Sequence, residues 1–104
     1  MFDLTAKAAV ADRAFLVGIY QHKEEEHEAA SLLDELAELV STLGVSITGR
    51  HLSRCSQFNS STLIGSGKLD EIATAARGTD AQVVVFDNEL SPAQQRNLEK
   101  VFAP

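Results

Sequence analysis

The chain has one cysteine, Cys55, no tryptophan and a single tyrosine, Tyr20. One thiol excludes an internal disulfide and points to a reducing compartment, so a cytoplasmic protein is expected. The core must be assembled from aliphatic side chains and five phenylalanines. No apolar run approaches the roughly 18 residues of a membrane-spanning helix, so no membrane partner is expected. The opening stretch Met1-Phe2-Asp3-Leu4-Thr5-Ala6-Lys7 lacks the basic-then-apolar layout of a secretory signal. Basic residues are also scarce. Nine Lys and Arg against fifteen Asp and Glu give a net charge of −6, which argues against a general nucleic-acid binder.

What is present is enough for one folded domain. The chain is 104 residues long and 44% apolar, and a chain of this length buries about two-thirds of its unfolded surface. Residues 1–13 read as a lead-in and 14–104 as the domain. Residues 14–20 form a continuous apolar run of strand length, the pattern of a strand buried on both faces. The polar stretch from Gln21 to Glu28 is either a loop or the acidic first turn of a helix. From Ala29, the positions Leu32, Leu33, Leu36, Leu39, Val40 and Leu43 recur at three and four, predicting an amphipathic helix with Gly44 at its C-terminal cap. Residues 45–49 alternate and are β-branched, a second strand that runs at most to about Arg54.

Residues 50–62 are otherwise polar and serine-rich, a long loop of the functional or mobile kind. Gly65-Ser66-Gly67-Lys68 then opens a helix carrying Leu69, Ile72, Ala73 and Ala76 on one face and ending near Gly78. Residues 83–86 make a third strand. After the acidic turn at Asp87, Ser91 at N-cap, Pro92 at N1 and Gln94 at N3 give a capping-box spacing for a last helix. The order β-α-β-α-β-α predicts an α/β fold, a small parallel sheet with helices on both faces and strand order 2-1-3. A fourth, closing strand is expected beyond Pro104, so the chain reads as a piece of a longer protein. Its third strand would then leave an open edge, with dimerisation or swapping in isolation a natural consequence.

In such sheets, ligands and partners meet the loops beyond the carboxyl ends of the strands. Gly65-Ser66-Gly67-Lys68 suggests a phosphate loop. The Walker A pattern, however, needs glycine where Thr62 stands and Ser or Thr where Leu69 stands. A tight turn into the helix, with backbone N–H groups free for an anion, accounts for it. His22, His27 and the glutamates at 24, 25, 26 and 28 form a solvated acidic turn, because no further converging ligands are in evidence for a metal. Asp87 stands where a phosphoacceptor would, but the first strand ends Tyr20-Gln21-His22 without the acidic partners such a site needs. Asp87 and Glu89 instead shape the turn before the Ser91 cap. Cys55, with His51 nearby, lacks a third orienting group for nucleophilic chemistry.

Charge placement is more informative. Between Leu39 and Leu69 there is no acid, while Arg50, Arg54 and Lys68 lie there with His51, so that window is +3 on a chain that is otherwise −9. One basic face on an acidic domain suits contact with phosphates. Arg50, His51, Arg54 and Lys68 are the candidate contacts.

Two blocks carry a family resemblance. Leu63-Ile64-Gly65-Ser66-Gly67-Lys68-Leu69-Asp70-Glu71-Ile72, and Val84-Val85-Phe86-Asp87-Asn88-Glu89-Leu90-Ser91-Pro92-Ala93-Gln94-Gln95-Arg96-Asn97-Leu98-Glu99, resemble the N-terminal domain of the HflX family of translational GTPases. The resemblance implies an α/β domain preceding a helical linker and a separate G domain, in a protein that acts on the large ribosomal subunit to split or rescue stalled ribosomes. It implies contact with ribosomal RNA and influence over nucleotide turnover. It also implies that GTP and magnesium belong to the G domain, so no cofactor and no catalytic residue are expected in this chain. The glycine turn Gly65, Gly67 and Lys68, and Leu90, Ser91 and Pro92 with Asp87, carry over as structural or interface elements. Two other readings stand beside this one. One is a nucleotide-binding module using the turn at Gly65 and Gly67. The other is a protein-interaction domain docking through the acidic face of the first helix, with Glu28, Asp34, Glu35 and Glu38.

Overall fold

A computed structural model describes residues 12–102; the expected lead-in over 1–13 therefore lies, up to residue 11, outside the described residues. Strand β1, Arg13–Tyr20, is apolar from Ala14 onward and takes the centre of a three-stranded parallel sheet, where a strand covered on both faces must sit. Strands β2 (Ser46–Arg54) and β3 (Val83–Phe86) flank it in the order β2-β1-β3. The β1–β2 register slips between Ala14 and Phe15, placing one extra β2 residue there.

Helix α1 (Glu26–Thr42) covers one face; α2 (Ser66–Gly78) and α3 (Pro92–Phe102) cover the other. The period-2 alternation of β1 splits the core accordingly. Ala14 and Leu16 pack with Leu33, Leu36, Ala37 and Val40 of α1. Phe15, Val17 and Ile19 pack with Leu69, Ile72 and Ala76 of α2 and with Leu98 of α3. Each buried Val, Leu, Ile or Phe side chain among these contributes about 1.5–3 kcal/mol. Leu90 packs against both clusters, at the edge of the sheet.

The helix ends follow local chemistry. A short 3-10 turn, Lys23–Glu25, leads into α1, and the Glu25 carboxylate accepts the N–H of His22 (2.7 Å) and of Gln21 (3.2 Å). Gly44 closes α1 with φ +83°, a conformation that favours glycine. Its N–H reaches the Ser41 carbonyl (2.9 Å) and that of Val45 the Val40 carbonyl (3.4 Å), the paired bonds of a Schellman ending. At α3 the capping box is formed: Ser91 Oγ accepts the Gln94 N–H (3.1 Å) and Gln94 Oε1 accepts the Ser91 N–H (2.9 Å).

Three details settle what the residues alone left open. Helix α1 starts at Glu26, because the Glu25 cap lets the acidic turn join the helix. Strand β2 continues through Arg54, so residues 50–54 are strand and not loop. An edge strand with one open side tolerates such polar residues. The remaining loop is tied down: Asn59 and Leu63 form an antiparallel bridge, and Asn59 Oδ1 accepts the N–H groups of Ser61 and Thr62. Gln94 Nε2 of α3 donates to the Asn59 carbonyl (2.9 Å) and Asn97 Nδ2 to the Ser61 carbonyl (3.0 Å). On the other edge, β3 has no strand partner on its outer side among the described residues.

Candidate functional site

Strand β1 sends its chain to α1 on one face and β3 sends its chain to α3 on the other, so the sheet has its switch point between their carboxyl ends. A cleft of about 250 Å³ opens there, lined by Gly18, Tyr20 and Gln21 of the first strand end, Glu28 and Leu32 of α1, Phe58, and Asp87 and Asn88. Its ionisable lining is acidic. Burial, and then the Glu35 carboxylate, raise the Asp87 pKa above its usual 3.8. Phosphate groups are disfavoured in such a lining.

Asn88 was not singled out by sequence reasoning, yet it completes the sheet. Its Nδ2 donates to the Ile19 carbonyl (2.8 Å) and its Oδ1 accepts the Ile19 N–H (3.1 Å). A side-chain amide thus stands where a further strand residue would, just after Asp87 N–H donates to the Val17 carbonyl (2.7 Å). The available signal was an asparagine two residues past a strand end, whose amide can imitate a peptide group.

The four basic-window residues cluster about the edge strand β2 and the start of α2, but on two sides. Arg50 pairs with Leu16 and Arg54 with Tyr20 in the β1 register, so both lie on the α1 side with Leu52. Arg50 Nη1 donates to Asp34 Oδ1 (2.6 Å), and Arg54 Nε donates to the Gln21 carbonyl (3.0 Å). Lys68 Nζ meets Glu71 Oε2 at 3.1 Å, one helical turn along α2. Exposed pairs of this kind are worth roughly 0–1 kcal/mol and exchange readily for another anion. His51 lies on the α2 side. Burial, and then the Lys68 charge, lower its pKa below the ordinary 6.5, with Glu71 opposing. Its Nε2 and the Ser53 Oγ are buried without a hydrogen-bond partner.

The glycine turn leads into α2 with Gly65 as N-cap, at φ −68° and ψ 162°. A Cβ at Gly65 or Gly67 would meet nothing within 4 Å, so neither glycine answers a packing need within this domain. Gly49 and Gly18 do: the Phe15 ring lies 3.0 Å from where a Gly49 Cβ would sit, and Leu52 lies 3.2 Å from that of Gly18. A nucleotide with magnesium does not fit the turn. Leu69, standing where the magnesium-holding hydroxyl is required, is only 4% exposed and part of the core, and the Lys68 ammonium is engaged by Glu71. Among the described residues no group of three or more His, Cys, Asp or Glu is placed to hold a metal ion.

A family described as GTP-binding GTPase N-terminal matches residues 30–103, from α1 through α3. The chain belongs to this family. It is also similar to proteins named GTPase HflX. That of Akkermansia muciniphila is 42% identical over 101 residues, covering 97% of this chain and 23% of the relative. That of Escherichia coli K12 is 39% identical over 105 residues (97% and 22%), and that of Lacrimispora saccharolytica is 37% identical over 99 residues (95% and 23%). The chain thus spans less than a quarter of the length of these curated relatives. The two motif blocks that carry the HflX resemblance fall within the matched span. As a member of this family, the chain presents an α/β scaffold, and no described helix is long and apolar enough to cross a membrane.

Proposed function

We propose that residues 14–104 are the ribosome-contacting and regulatory domain of an HflX-like GTPase acting on the large ribosomal subunit in ribosome splitting or rescue. GTP and magnesium are held in a G domain outside this chain, and this domain's own partners are ribosomal RNA, that G domain and its helical linker. The observation that carries the RNA contact is the gathering of the acid-free basic window on one sheet edge. Arg50 and Arg54 on β2, and Lys68 at the start of α2, are the cations of that window, on a chain whose net charge is −6.

Contact proceeds by exchange. A phosphate displaces Asp34 from Arg50 or Glu71 from Lys68, replacing a weak exposed pair by another charge-assisted one. Arg54 makes no ion pair with a described carboxylate, so its guanidinium meets a phosphate at no such cost. The first N–H groups of α2, unobstructed at Gly65 and Gly67, add backbone donors beside Lys68. The acidic lining of the cleft at the switch point, Glu25, Glu28 and Asp87, disfavours phosphate there. Co-sedimentation with isolated large ribosomal subunits tests this: binding that saturates and weakens with salt is expected. Absence of binding at both low and moderate salt would refute it.

A further inference from the structure

Helix α1 has more apolar surface than its core uses. Leu33, Leu36 and Val40 are buried against the sheet, yet Leu32, Leu39 and Leu43 are 45%, 57% and 46% exposed. At 3.6 residues per turn, spacings of seven and four keep these three in one line along the helix. In heptad terms they stand at d, d and a, with the intervening a position, Leu36, turned into the core, so the exposed line Leu32, Leu39 and Leu43 is what is offered to a second helix. Large exposed apolar stripes on a folded domain mark interaction surfaces. Phe58, 40% exposed, lines the cleft together with Leu32 and extends the stripe at its N-terminal end.

We propose that the outer face of α1 is a docking seam for an amphipathic partner helix with Lys or Arg along its flanks. Charge selects that occupant. Helix α1 carries Glu26, Glu28, Asp34, Glu35 and Glu38 and no Lys or Arg. Glu28 and Glu35 fall at the g positions beside the Leu32, Leu39 and Leu43 stripe, where coiled-coil partners are chosen by opposite charge. A second copy of this chain would bring the same carboxylates face to face, on a molecule already at −6. Nucleic acid is repelled by the same row. This seam lies away from the Lys68 turn and does not depend on the ribosome reading.

The test is an NMR titration of the full 104-residue chain. The probe is a peptide of about three heptads, with Leu at a and d and Lys at e and g, against its counterpart with Glu at e and g. Saturable shifts centred on Leu32, Leu39 and Leu43 are expected with the Lys-flanked peptide only. Leu39→Glu or Leu43→Glu, both at exposed positions and checked for folding by circular dichroism, should weaken binding at least tenfold, on the order of a lost apolar anchor. Glu35→Lys should weaken the Lys-flanked peptide while improving the Glu-flanked one. Equal binding of the two peptides, no saturable binding, or shifts outside α1 would overturn the proposal. So would a dimer of the chain that Leu39→Glu makes monomeric, since a second copy would then be the occupant.

Discussion

Replacing Asn88 by alanine removes two hydrogen bonds at once and strands both backbone groups of Ile19, which is itself 5% exposed. Each bond has a net worth of about 0.5–1.5 kcal/mol, and a buried group left without a partner costs about 1–3 kcal/mol. Because the site borders the cleft, water recovers part of that, and a total loss of about 2–4 kcal/mol is expected. For a domain of this size each kcal/mol lowers the melting temperature by roughly 4–8 °C. Urea denaturation followed by circular dichroism measures the loss directly. Asn88→Asp sharpens the argument: it keeps the acceptor for Ile19 N–H but sets a carboxylate against the Ile19 carbonyl. At neutral pH it should be about as damaging as alanine. As the carboxyl protonates, its O–H can donate and part of the loss should return, so the two variants should diverge at low pH. A loss below about 0.5 kcal/mol for Asn88→Ala, the range of ordinary surface changes, would refute the view that this side chain closes the sheet.

Ser91→Ala removes one half of the α3 capping box and should cost about 1 kcal/mol. Gln94→Ala should cost more, and should also raise hydrogen exchange over residues 59–63, because Gln94 Nε2 holds the Asn59 carbonyl. Gly49→Ala drives a Cβ against the Phe15 ring and should destabilise by about 1–3 kcal/mol, whereas Gly67→Ala meets open space within α2 and should stabilise by up to about 1 kcal/mol in the same denaturation assay. Asp87 has a raised pKa in the fold, so the native state binds more protons than the unfolded one just above pH 3.8, and stability falls as pH rises through that window. Asp87→Asn should therefore be more stable than the parent at pH 7, with the difference vanishing well below pH 3.8; an unchanged pH profile would contradict the assigned burial.

Elements whose signal is local were legible in the residues alone. The Ser91–Gln94 box, the Gly44 ending and the two-sided burial of β1 each follow from chemistry within a few residues, and the alternation of elements led to the order 2-1-3. What escaped depends on partners distant in the chain. Residues 50–54 are polar, and whether the strand runs on through them to Arg54 is decided only by pairing with β1, more than thirty residues away. The role of Asn88 depends on Ile19, 69 positions earlier. In α1 the apolar set is wider than one face, and composition cannot say which leucines the sheet will cover; Leu32, Leu39 and Leu43 lose that competition to Leu33, Leu36 and Val40. The basic window was visible as an absence of acid, but its division across the two sides of β2 follows only from register.

The central claim, that the β2 edge and the start of α2 contact ribosomal RNA, is tested most directly by measuring large-subunit binding across a salt series. The chain and its Arg50→Glu/Arg54→Glu/Lys68→Glu variant are compared, with folding confirmed for both. Each phosphate contact contributes about 0.7–0.9 to the slope of log K against log salt. The account predicts saturable binding by the chain, and for the variant a large loss of affinity with a slope reduced by about two. Binding of equal strength and equal salt dependence in the two proteins would contradict it.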